Sequence, residues 1–118
     1  MFKLVVAGSR SFADEGRLFA DLDRLLANQM PDVEIVTGGC PSGADAIAAR
    51  YARARRLPLR VFPARWAKYG RAAGPIRNEE MALYADGVVV YWDGVSRGSK
   101  SMVNSAAALG VRVVVRRF

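Results

Sequence analysis

Short, uniformly apolar runs alternate along this chain with segments of helical period, and this alternation constrains the fold more than any other feature. The runs are "KLVVAG" (3–8), "VEIVTG" (33–38), "LRVFPA" (59–64), "GVVVYW" (87–92) and "VRVVVRRF" (111–118). Between the first two, "RLFADLDRLLAN" (17–28) sets Leu18, Leu22, Leu25 and Leu26 on one helical face. "SGADAIAARYARA" (42–54) does the same with Ala44, Ile47, Ala48, Tyr51 and Ala52, and Ser42 with Asp45 has the spacing of a capping box. Further helices are expected from Pro75 to Ala85 and from about Ser99 to Leu109. Strands with no polar face belong in a parallel sheet covered on both sides. The expectation is an α/β, Rossmann-like three-layer sandwich over residues 1–118, one domain with a five-stranded parallel sheet in the order 3-2-1-4-5. A flavodoxin-like order, 2-1-3-4-5, is the competitor.

In such a sheet, ligands sit at the carboxyl ends of the strands beside the switch in strand order. Three glycine-bearing segments fall there: Gly8-Ser9-Arg10, Gly38-Gly39-Cys40-Pro41-Ser42-Gly43-Ala44-Asp45, and Asp93-Gly94-Val95-Ser96-Arg97-Gly98-Ser99-Lys100. Glycine lets backbone N–H groups approach an anion, and a following helix adds free donors and partial positive charge. None of the three is GxxxxGK[ST] or GxGxxG, which argues against P-loop ATPase chemistry and ordinary dinucleotide dehydrogenase binding.

Composition narrows the chemistry. The chain has no histidine and one cysteine, Cys40, so histidine-based acid–base catalysis, the usual zinc sites and an internal disulfide are excluded, and no metal site is expected. Cys40 reads as a small packing residue. No apolar run approaches the roughly 18 residues of a membrane span and no signal pattern opens the chain, so a cytosolic protein without membrane contact is expected. The formal net charge is +7. From Arg50 to Arg77 there are nine basic residues and no acidic one, a field suited to phosphate, nucleic acid or an acidic partner.

The segment "AAGPIRNEEM" (72–81) places Gly74 at a helix cap, Pro75 at the first helical position, and Arg71 and Arg77 where the helix dipole is positive. A bound anion would make Arg77 favourable there; pairing with Glu80 is the alternative. Trp66 and Trp92 are each placed either to stack on a base or to fill core.

Together, "VAGSR" (6–10), "GGCPSGAD" (38–45), W-x3-G-x3-GP-x-RN-x2-M from Trp66 to Met81, and "DGVSRGSKSMV" (93–103) resemble the YspA-related branch of the SLOG superfamily, in order and over nearly the whole chain. That superfamily includes the LOG phosphoribohydrolases and the DNA-processing protein DprA. The resemblance implies a Rossmann-like fold and a small-molecule partner, a nucleotide or an NAD or ADP-ribose derivative, with single-stranded nucleic acid as the alternative and homodimerisation left open. Arg77 and Gly98-Ser99 resemble the arginine and glycine-threonine loop that hold phosphate and ribose in LOG enzymes. The glutamate ending that loop corresponds to Met102 here, so binding is expected, with LOG-like hydrolysis of nucleoside monophosphates as the alternative if Asp45, Asp93 or Glu79 replaces the missing carboxylate. No resident cofactor is implied beyond that ligand. The candidate ligand-binding set is Gly8, Ser9, Arg10, Gly38, Gly39, Ser42, Gly43, Asp45, Trp66, Gly74, Arg77, Asn78, Asp93, Gly94, Ser96, Gly98 and Ser99. Within it, Asp45 suits a ribose hydroxyl or a helix cap, Asp93 a ribose contact or a strand end, and Asn78 a ligand contact or a loop brace.

Overall fold

The alternation of apolar runs and amphipathic segments produces one parallel sheet, seen in a computed structural model that describes residues 1–118. The strands are β1 (Phe2–Gly8), β2 (Val33–Thr37), β3 (Leu59–Val61), β4 (Gly87–Trp92) and β5 (Val113–Arg117), in the order 3-2-1-4-5, every pair parallel. The flavodoxin-like order does not occur. The helices are α1 (Glu15–Leu25), α2 (Gly43–Ala54), α3 (Trp66–Tyr69), α4 (Ala73–Tyr84) and α5 (Arg97–Ala108), with a 3-10 turn at Gly70–Ala72 between α3 and α4.

The pleat divides the strand residues between two cores. Leu4, Val6, Val33, Ile35 and Tyr91 face Leu18, Leu22 and Leu26 and the Ala44–Ala52 stripe of α2. Val5, Ala7, Val36, Val88 and Val90 face Met81 and Ala82 of α4 and Met102 and Ala106 of α5. Both faces of the central strands β2, β1 and β4 are therefore dry, as continuous valine and isoleucine runs require, and each fully buried side chain contributes about 1.5–3 kcal/mol. The edge strand β3 is exposed throughout and β5 only partly covered, so the expected two-sided coverage stops short of the sheet edges.

Two carboxylates of α1, one buried and one exposed, tie it to the sheet and to α2. Asp21 of α1 accepts the Tyr91 hydroxyl at 2.9 Å and both arms of Arg116 at 3.2 Å. Asp23 accepts the Tyr51 hydroxyl at 2.7 Å and a two-pronged contact from Arg55. The Arg55 hydrogen bonds outweigh desolvation and hold the Asp23 carboxyl below its ordinary value.

Several boundaries differ from expectation. Leu25 is 41% exposed, because α1 ends there and Leu26, the C-cap, takes the inward position. β3 stops at Val61, three residues short of the expected end, since Pro63 has no N–H to continue the ladder. α4 starts at Ala73, so Pro75 lies inside its first turn and Gly74 is helical instead of capping. α5 starts at Arg97, two residues early.

Candidate functional site

Right-handed crossovers put the starts of α2, α4 and α5 on the edge where the strands end, and the chain leaves a cleft of about 550 Å³ there. One wall is the end of β1 and β2, with Gly8, Arg10, Gly38, Cys40 and Asp45. The start of α5 supplies Ser96, Arg97, Gly98, Ser99, Ser101 and Met102, and α4 supplies Gly74, Pro75, Arg77, Asn78 and Met81. Trp66 and Arg71 close the outer side. A second hollow of about 360 Å³ continues past Trp66, bordered by Gly39, Pro41, Ser42, Pro63 and Ala64, and shares Arg10, Gly38, Cys40, Trp66 and Arg77 with the first.

The backbone at these loops is pressed tightly together. A Cβ on Gly8 would strike the Tyr91 carbonyl and the Ala44 side chain, so only glycine lets β1, β4 and α2 meet. Gly43 has φ +71° and its Cβ position is filled by the Ser9 and Arg10 backbone, which seats the start of α2 on the β1 loop. Three hydroxyls bind the β1 and β4 loops: Ser9 Oγ lies 2.9 Å from Ser96 Oγ and 3.4 Å from Ser99 Oγ, and Ser96 donates to Ser99 at 2.8 Å. The Asp93 N–H donates to Ser9 Oγ at 3.2 Å.

No side chain caps α2 or α5, leaving their first-turn N–H groups free. For α2 this replaces the expected capping box. Asp45 turns back to accept the Cys40 N–H at 3.1 Å, while the Ser42 hydroxyl lies 3.9 Å from Cys40 Sγ.

Arg77 is anchored from both sides of the β2–β3 edge. Its Nη1 donates to the carbonyls of Gly38 at 2.9 Å and Phe62 at 3.2 Å, and its Nε donates to Asn78 Oδ1 at 3.0 Å. Glu80 is not its partner, and Nη2 makes no hydrogen bond within the protein. Asn78 in turn donates to Gly98 O at 3.3 Å and Ser101 Oγ at 3.2 Å, so it braces α4 against α5.

Arg10, Arg71, Arg77 and Arg97 face a single lining carboxylate, Asp45, which is 9% exposed. Burial pushes the Asp45 carboxyl above its ordinary value; the Cys40 and Gly38 N–H groups and the charges of Arg77 and Arg10 offset part of that. Trp66 is 57% exposed, which rules out its core reading. Trp92 instead packs in the second core, donates Nε1–H to Ser96 O at 3.0 Å and lies under the Arg117 guanidinium, away from the cleft.

Of the seventeen candidate residues, the structure brings all but Ser9, Gly43, Asp93 and Gly94 to the walls of the two hollows. Ser9 and Gly43 support the walls from behind. Asp93 folds over its own loop, where its Oδ1 accepts the N–H groups of Val95 and Ser96, and these lower its carboxyl below the ordinary value. Gly94 packs under Arg117. Arg71, Arg97, Ser101 and Cys40 were not among the candidates; Arg97 and Ser101 lie within the first turns of a helix that follows a glycine loop, the signal that marked Gly98 and Ser99. Met102, 1% exposed, forms part of the cleft floor.

The model of the YspA, cpYpsA-related SLOG family matches residues 2–69, from β1 through α3. The chain belongs to that family. The match takes in the Gly8 and Gly38–Asp45 walls of this SLOG cleft and ends short of α4 and α5. Among solved structures, the molybdenum cofactor binding protein from the phototrophic bacterium Rippkaea orientalis shares the fold, with a TM-score of 0.71 at 20% identity over 97% of this chain and 75% of that one. A comparison with curated proteins gives no match. No helix of this SLOG chain is long and apolar enough to cross a membrane.

Proposed function

We propose that this chain binds a phosphorylated small molecule, a nucleotide or an NAD-derived one, in the cleft at the strand ends. The observation that carries this reading is the convergence of four arginines and the uncapped start of α5 on one concave site beside the β1–β4 switch. Free N–H groups at a helix start, small hydroxyls and guanidinium forks form a phosphate cradle. The exposed face of Trp66 offers a surface for a base. Continuation of the cleft past Trp66 into the second hollow supports a ligand longer than a mononucleotide, which favours the NAD-derived class. That a protein of the same fold is a molybdenum cofactor binding protein is consistent with small-molecule binding on this scaffold.

Single-stranded nucleic acid fits less well. Within the basic stretch, Arg50 pairs with Glu15, Arg55 with Asp23, and Arg60 lies over Phe62 and Tyr84. Arg53 and Arg56 sit at the far end of α2, about 18 Å from the cleft edge at 1.5 Å per residue. Calorimetric titration with adenosine monophosphate, ADP-ribose and a single-stranded oligonucleotide separates the readings. Saturable one-to-one binding of a small ligand with a shallow salt dependence is expected; steeply salt-dependent binding of the oligonucleotide alone would replace this reading with the strand-binding one.

A further inference from the structure

Asp45 is an odd residue to find in an arginine-lined anion site. It is nine-tenths buried, yet it forms no ion pair, although Arg10 and Arg77 line the same cleft. Arg77 directs its Nη1 and Nε to carbonyl oxygens and Asn78 instead. Only backbone N–H groups reach it, Cys40 at 3.1 Å and Gly38 more weakly, which leaves unfilled a carboxylate able to accept about four hydrogen bonds. It does not cap α2, since Cys40 lies before the helix. Nor does it belong to a metal-ligand cluster, because no three Asp, Glu or Cys side chains gather anywhere in the chain. A negative charge here weakens the hold on any anion unless it meets a donor carried by the ligand itself.

Its position specifies that donor. Asp45 follows β2, the start of α5 follows β4, and β1 lies between these strands, so the two sites stand about two strand spacings, roughly 10 Å, apart. A phosphate at α5 with a sugar directed toward β2 brings the sugar hydroxyls to Asp45. An acidic residue serves ribose hydroxyls in dinucleotide-binding sheets of the same strand order, a parallel of position and chemistry.

We propose that Asp45 is the specificity-determining residue of this cleft, accepting hydrogen bonds from the vicinal hydroxyls of a ribosyl phosphate and so selecting ribonucleotide-type ligands over deoxyribose ones. This rests on the reading of the cleft as a phosphate site. The strand ends thereby separate two tasks: α5 and the arginines hold charge, and Asp45 identifies the sugar. DNA, lacking one of the two hydroxyls within its chain and using the other in its backbone, is a poor occupant.

The test titrates the protein with adenosine monophosphate and with its dideoxy analogue, which lacks both ribose hydroxyls. The wild-type protein is expected to bind the ribose form roughly tenfold to a hundredfold more tightly, the range for a hydrogen bond to a charged group. In Asp45→Ala the ratio is expected to collapse to below about threefold. If Asp45→Ala fails to fold, Asp45→Asn, which keeps an acceptor for Cys40 N–H without the charge, is expected to lose a large part of the same ratio. Equal affinities in the wild-type protein, or an undiminished preference in the folded variant, would overturn the assignment of Asp45 while leaving the phosphate site standing. Absence of binding for both compounds would overturn the phosphate site and this inference with it.

Discussion

Arg77 shows how a cation is retained near the positive end of a helix. Its guanidinium is held by the Gly38 and Phe62 carbonyls, which are partial negative charges at the ends of β2 and β3, while Nη2 makes no hydrogen bond within the protein. Arg77→Ala frees two carbonyls and the Asn78 amide oxygen, so it is expected to lower the unfolding free energy by about 1–3 kcal/mol in denaturant titrations. It is also expected to weaken nucleotide binding by about 1.5–3 kcal/mol; unchanged values in both would remove Arg77 from the site. Asp45 makes a different prediction. Its folded pKa is raised, so the folded state binds the proton more tightly, and stability falls as pH rises from the ordinary value of 3.8 through the folded pKa. Asp45→Asn is therefore expected to raise the melting temperature at neutral pH and to narrow the gap on acidification; a lower melting temperature at pH 7 would contradict this. Asp23 works with the opposite sign: its lowered pKa contributes stability above 3.8 that is lost as pH falls through the folded value.

At the scale of elements, the strands and the four long helices were legible because burial leaves uniform apolar runs in the central strands and amphipathic stripes on the helices. Gly8 and Gly38 were legible as well, since a glycine following a buried strand marks a close backbone approach. The segment Trp66–Ala72 was not. Its short helix and 3-10 turn bury nothing fully, so no apolar period records them, yet they form the outer wall of the cleft. Arg77's true partners were equally hidden, because backbone carbonyls 39 and 15 residues away carry no side-chain signature. The capping box failed for a related reason: spacing places Ser42 and Asp45 correctly, but it does not weigh the competing Cys40 N–H. Gly8→Ala tests the junction of β1, β4 and α2. The added methyl meets a backbone carbonyl that cannot yield, and a loss of about 1–3 kcal/mol is expected on thermal or chemical unfolding. Trp66→Ala, at an exposed side chain, is expected to leave stability within about 0.5 kcal/mol while weakening adenosine monophosphate; full retention of affinity would take the base away from that wall.

For the molecule as a whole, the net charge of +7 is not a uniform coat. Carboxylates of α1 quench much of the arginine on the outer layer, and four arginines stay at the strand ends around a single carboxylate. A doubly wound sheet concentrates its helix starts at that edge, so fold and charge converge on one place. Amide chemical-shift mapping during titration with ADP-ribose tests this convergence most directly. The largest shifts are expected at residues 8–10, 38–45 and 97–101, with saturation and little change at Arg53 and Arg56. Shifts gathered on the far end of α2, or none at the strand ends at millimolar ligand, would contradict it.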